Sequence, residues 1–190
     1  MLKRNTKTDS ENDKNYLTVE EFNAIRRMDF PKDFLDFLEI GFRTGLRAAD
    51  ILNLKKENIV LTKNDDDSLT GRIHGTALKT KSQTQINIRL DQKLLSILKD
   101  RLENTKSDFL FSNKSGDPYT IEYFKKYFRK AFDQLYPDVK FHKSIHAIRS
   151  GNRKFLEMHN VNHSEIDFRQ CLTIYLSLIH ISEPTRHAQI

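Results

Sequence analysis

The sequence predicts an α+β fold: a mainly α-helical domain with one small antiparallel β-sheet. Three observations predict it. Apolar residues recur at helical spacing through most of the chain, and only the passage from Asn58 to Leu90 alternates with the period of a strand. The 190 residues suffice for one domain with a proper core and fall short of two comfortable ones. With 37% hydrophobic and 31% charged residues, the composition is ordinary for a soluble globular protein. The longest apolar run, Leu172 to Ile181, is shorter than the ~20 residues a membrane helix needs, so no membrane segment is expected. The N-terminal MLKRNTKTDSENDKN lacks the apolar core of a signal peptide and reads as a polar linker or tail. The lone cysteine, Cys171, rules out an intrachain disulfide framework and fits a reducing cytoplasm.

In chain order, Thr18 and Glu21 form a capping box with Leu17 and Phe22 placed as a staple, predicting a helix from Thr18 to Met28. Pro31 opens a second helix whose face of Phe34, Leu35, Phe37, Leu38 and Phe42 is core, and Gly45 ends it. Ala48 to Leu54 reads as a short third helix. Strands are expected at Asn58 to Thr62, Arg72 to Leu78 and Gln83 to Leu90, the first two separated by the acidic turn Asn64 to Ser68. Asp91 caps a helix carrying Leu94, Leu95, Leu98 and Leu102. Thr120 opens a helix with Phe124, Tyr127, Phe128, Ala131, Phe132 and Leu135 inward. Two more helices are expected, from near Ser144 to His159 and from Ser164 to Leu172.

The net charge of +6 favours a polyanionic partner mildly. Basic residues recur in pairs, from Arg26-Arg27 and Lys55-Lys56 to Lys125-Lys126, Arg129-Lys130 and Arg153-Lys154, as suits a protein gripping a phosphate backbone from several elements. Solubilised helix faces account for such pairs equally well. Three stretches bear chemistry. In Thr44-Gly45-Leu46-Arg47-Ala48-Ala49-Asp50, a glycine turn aims Arg47 just before a helix, and Asp50 three residues later lies on the same face, where it can hold the guanidinium by a bidentate pair. Leu78-Lys79-Thr80-Lys81-Ser82 is a hairpin tip that projects lysine toward a ligand bound elsewhere. Ser144-Ile145-His146-Ala147-Ile148-Arg149 puts imidazole and guanidinium side by side at a helix start, the end that favours anions. Taken singly, each has a plain alternative: a surface salt bridge, a solubilising lysine and a polar helix face.

In combination, their order and spacing resemble the catalytic domain of the tyrosine recombinases, the phage-type integrases. Thr-Gly-Leu-Arg-x-x-Asp followed by Ile-Leu-x-Leu looks like the family's first-arginine motif, the Lys79 hairpin falls where its lysine stands, and Ile145 to Arg149 looks like its His-x-x-Arg box. Leu17-Thr18-x-Glu20-Glu21 and Asp108 to Phe111 resemble the domain's opening and the strand before the box; the likeness runs from Leu17 to Leu172. The resemblance implies Arg47, Lys79, His146 and Arg149 as catalytic residues, Asp50 in support, and Arg47, Lys79, Lys81 and Arg149 as phosphate ligands on double-stranded DNA. In the roles the resemblance implies, Arg47 and Arg149 would clamp the nonbridging oxygens, His146 would bond the phosphate or assist proton movement, and Lys79, with Lys81 the alternative, would protonate the leaving 5′ oxygen. A tyrosine is the nucleophile, no cofactor or metal is required, and family members act as tetramers on paired sites. His159-Asn-Val-Asn-His163 lacks the glutamate of a metalloprotease motif.

The resemblance also breaks. The family carries a Gly-His pair before its tyrosine, but Gly151 is the last glycine here, so Tyr175 reads as a bystander. Leu176 to Arg186 resembles a translation of the transposon-end adapter used in DNA sequencing, so residues 173–190 are expected to be non-native or disordered. Residues 1–16 are expected to be a polar tail and 17–172 a partial recombinase domain, truncated at both ends, that binds DNA weakly without cutting it. The alternatives are a non-catalytic DNA-binding module and, from another class, a small helical regulator in which the motifs are coincidental.

Overall fold

The computed structural model describes residues 15–78, 85–138, 143–162 and 166. Helix α1 (Val19–Ile25) opens on the expected capping box: the Thr18 hydroxyl accepts the Glu21 N–H at 3.2 Å, and Glu21 Oε2 accepts the Thr18 N–H at 2.9 Å. It ends three residues short of the expected Met28. Arg27 and Met28 instead donate to the carbonyls three residues back, Ala24 and Ile25, because the chain must tighten and leave the helix before Pro31. Helix α2 (Lys32–Thr44) follows that proline and stops at Gly45, whose φ of 67° is left-handed and whose N–H closes on the Gly41 carbonyl. Helix α3 (Ala48–Leu52) starts three residues later.

A short 3-10 turn at Lys56–Asn58 leads into β1 (Ile59–Lys63), β2 (Leu69–Thr76) and β3 (Gln85–Arg89), which form one antiparallel sheet in the order β1-β2-β3. The register pairs Ile73 with Ile59 on one side and Ile88 on the other, so three β-branched side chains lie in line on the buried face. Helix α4 (Gln92–Asn104) is capped by Asp91, whose carboxylate accepts the Leu94 N–H at 2.7 Å. The strand expected at Asp108 to Phe111 is absent: Phe109 makes one bridge to Lys55, because the opposing chain turns at once into the 3-10 segment.

Helix α5 (Ile121–Leu135) buries Phe124, Phe128, Ala131, Phe132 and Leu135, while Tyr127, expected inward, is half-buried in a run of ring contacts with Phe30, Phe34 and Tyr123. Helix α6 (Ala147–Met158) begins three residues after the expected Ser144. Of the helix expected from Ser164 to Leu172, only Ile166 is described; it is helical and buried with Leu156 and Val161. No helix among the described residues is long and apolar enough to cross a membrane.

The core is rich in phenylalanine, with Phe34, Phe37, Phe111, Phe124 and Phe128 fully buried. Helix α6 reaches it by lying on α2 and on the segment before α1. Leu17 donates its N–H to the Ala147 carbonyl at 2.8 Å, and a Cβ on Gly151 would stand 2.3 Å from the Leu17 carbonyl oxygen. Since backbone must give way, Gly151→Ala is expected to destabilise the fold by about 3 kcal/mol, read as a lowered urea midpoint with an unchanged slope.

Candidate active site

Arg47 owes its place to the end of α2. Left-handed Gly45 turns the chain out of the helix, and Arg47, in extended conformation, becomes the residue that caps α3. Its guanidinium is about one-third exposed and comes within 3.9 Å of Asp50 Oδ2, a single long contact instead of the expected bidentate pair. Asp50 is buried, and its other oxygen is used elsewhere: Oδ1 accepts the Leu78 N–H at 3.0 Å. Asp50 thus ties the start of α3 to the end of the β2 arm. Lys79 and Lys81, the lysines expected at that hairpin tip, lie outside the described residues.

The His-x-x-Arg stretch straddles the start of α6. Because the helix begins at Ala147, His146 occupies the capping position, where it makes no side-chain cap, and Arg149 sits in the first turn. The Arg149 guanidinium donates to the carbonyl of Gly45, the end of α2. One turn on, buried Asn152 donates to the Phe42 carbonyl at 2.9 Å and, more weakly, to that of Arg43 at 3.4 Å. Two α6 side chains therefore satisfy carbonyls that the last turn of α2 leaves open. The sequence reading missed Asn152. Its spacing of three from Arg149 was the available signal, but such spacing is as common on a solvated face.

Arg47, His146 and Arg149 converge on one hollow of about 330 Å³, whose remaining walls are mostly apolar, with Leu46, Ala48, Ile121 and Ile145 among them. Three cationic or titratable groups from two separate stretches thus face a common space at the N-terminal, positive end of α6. The imidazole of His146 is held below its usual pKa, first by partial burial and then by the positive charges of Arg149 and Arg47. It is therefore neutral at pH 7, and a bound anion would draw a proton onto it.

The dispersed basic pairs are partly engaged within the protein: Lys56 donates to the Thr105 carbonyl, Lys125 pairs with Glu122, Arg26 with Glu39 and Arg153 with Glu157. Among the described residues no group of three or more His, Cys, Asp or Glu is arranged to hold a metal ion.

No curated protein sequence matches the chain. Solved structures match it well. The lambda integrase catalytic core superposes with a TM-score of 0.65 at 18% identity, covering 85% of this chain and 99% of that one. XerH site-specific recombinase, bound to its difH substrate in a pre-cleavage complex, gives 0.63 at 18% identity over 82% of this chain and 46% of XerH. The Tn1549 transposon integrase, in complex with a circular intermediate DNA, gives 0.61 at 15% identity over 86% and 59%. The chain spans about half the length of XerH and nearly the whole of the lambda catalytic core. A sequence model of the phage integrase family matches residues 17–163. With that match over most of its length and the fold of the tyrosine recombinase catalytic cores, the chain belongs to the phage integrase family.

Proposed function

We propose that this chain is the catalytic region of a site-specific DNA recombinase that breaks and rejoins strands through a tyrosyl phosphodiester. The observation behind the proposal is the convergence of Arg47, His146 and Arg149 on one hollow from opposite ends of the motif-bearing sequence. The DNA-bound states of XerH and the Tn1549 integrase support double-stranded DNA as the partner.

In this reading the scissile phosphate sits in the hollow. Two planar guanidiniums meet its nonbridging oxygens, where negative charge grows in the transition state. A tyrosine phenol oxygen bonds to phosphorus as the bond to the 5′ oxygen breaks. The leaving oxygen takes a proton from Lys79, or from Lys81 in the alternative assignment, and His146 bonds the phosphate or moves the phenol proton. The 3′-phosphotyrosyl link keeps the bond energy until the 5′ hydroxyl of a second strand attacks it and releases the tyrosine. The scheme asks for no cofactor. Asp50 acts one step back, joining Arg47 to the hairpin base at Leu78. The assembly would be a tetramer on paired DNA sites in the cytoplasm, built around a domain at residues 17–172.

Several measurements bear on this. Arg47→Ala and Arg149→Ala are each expected to weaken duplex DNA binding about tenfold at low salt, since a charge-assisted phosphate contact is worth roughly 1.5–3 kcal/mol. Each should flatten the plot of log affinity against log salt by about 0.9. Binding that is indifferent to salt and to both substitutions would sink the proposal.

His146 supplies a pH test. Its lowered pKa means that the free protein releases the proton above the ordinary value of 6.5 and for some distance below it, whereas a neighbouring phosphate favours the protonated ring. DNA affinity is therefore expected to rise as pH falls from 7.5 to 5.5 at fixed salt, and His146→Gln to abolish the rise. The same shift lowers stability over that window, because the unfolded chain takes up the proton first. Covalent capture is the most direct check: no protein–DNA adduct is expected from this chain, and recovery of one, lost on Tyr175→Phe, would make Tyr175 the nucleophile instead of a bystander.

A further inference from the structure

Lys143 is buried, and the chemistry proposed above makes no use of it. Its Nζ donates to both carboxylate oxygens of Glu21, at 2.9 Å to Oε1 and 2.6 Å to Oε2, and to the Tyr16 carbonyl at 2.6 Å. These three bonds occupy all three ammonium protons. Glu21 is equally engaged. Its Oε1 also accepts the Tyr136 hydroxyl at 3.1 Å, and its Oε2 the Thr18 N–H at 2.9 Å. One buried carboxylate thus caps α1 and neutralises Lys143 at once.

The pair joins parts of the molecule that are distant in sequence. Tyr136 lies just past the end of α5 and Lys143 just before α6, so both flanks of the connection between those helices converge on Glu21. A buried ion pair is a poor source of net stability, since the desolvation of two charges offsets most of their attraction and an apolar pair often serves as well. It does supply direction: a donor of fixed length must meet two carboxylate oxygens and one carbonyl together. The start of α6 needs such a fixture, because His146 gives it no side-chain cap. The turn at Ser144–His146 is held from outside, by Lys143 before it and by the Leu17 N–H on the Ala147 carbonyl after it.

We propose that Lys143, acting with Glu21, is a positioning residue: the buried pair fixes the turn that presents His146 and so aims the first turn of α6, with Arg149, at the hollow. The proposal rests on the phosphodiester-site reading for its function, but its geometric content is testable without DNA.

The test uses the whole 190-residue chain, following the His146 imidazole by NMR, with its resonance assigned through His146→Gln, and duplex DNA affinity in parallel. Glu21→Leu combined with Lys143→Met replaces the pair by apolar side chains of similar size. This variant is expected to melt within a few degrees of the parent. Its His146 titration should move up toward the ordinary value as the ring loses its partial burial and leaves Arg149 and Arg47, and its DNA dissociation constant should rise about tenfold. Glu21→Gln, which keeps size and an acceptor, should move both readouts the same way by less, and Lys143→Arg, which keeps the cation, should stay within about twofold of the parent. A folded double variant with an unchanged His146 titration overturns the proposal. Should the double variant not fold, Glu21→Gln decides by the same criterion. Were the parent chain to show no salt-sensitive DNA binding, the recombinase reading would fall while the His146 comparison still decided the positioning.

Discussion

The close approach of α6 to α2 is the constraint on which the rest of the site depends. It is possible because two positions at the crossing have no side chain: a Cβ on Gly41 would stand 2.9 Å from Ile148 Cγ2, and one on Gly151 would meet the Leu17 carbonyl. With the helices in contact, the open carbonyls at the end of α2 fall within reach of Arg149 and Asn152. The first turn of one helix is thereby set against the last turn of the other. The hollow forms in the angle between them, and Arg47 enters it because the chain leaves α2 through left-handed Gly45.

Around this crossing, buried charges serve as fixtures with known direction. Asp50 ties the arginine turn to the β2 arm, and Glu21 ties α1 and Tyr136 to the approach to α6. Glu21 and Lys143 have their oxygens and protons met by partners of fixed geometry, the condition under which burial of charge is tolerable. The groups facing the hollow are treated differently. Arg47 keeps a contact of 3.9 Å to Asp50, and His146 is held below its usual pKa first by partial burial and then by Arg149 and Arg47. Charge that locates the backbone is compensated internally, whereas Arg47, at the hollow, meets its carboxylate only at long range.

The elements that were legible in the sequence share one property: their signals are local. The capping box at Thr18, the stop at Gly45, the cap at Asp91 and the alternation through Ile86 and Ile88 all state their geometry within a few residues. The motifs around Arg47 and His146 were readable for the same reason, and family resemblance grouped them. What escaped was decided by distant partners. Helix α6 starts three residues late because its first turn is held by Leu17 and Lys143. The strand at Asp108 to Phe111 shrinks to a single bridge because its opposite number turns away. The roles of Asn152 and Lys143 appear only when chain segments more than a hundred positions apart are brought together.

The contact between Leu17 and α6 has a further consequence, for the order in which the molecule is made. Lys143 and the Tyr16 carbonyl that it binds are 127 positions apart, and the Leu17 carbonyl covers Gly151 in the same place. During synthesis the segment before α1 must therefore wait more than a hundred residues for the partner that satisfies its backbone. The loop that closes on that contact spans most of the domain, and closures of that length are slow in folding. A nascent chain would have its sheet and the phenylalanines of α2 available before the hollow exists, so the surface around the hollow should form late in the folding of this domain.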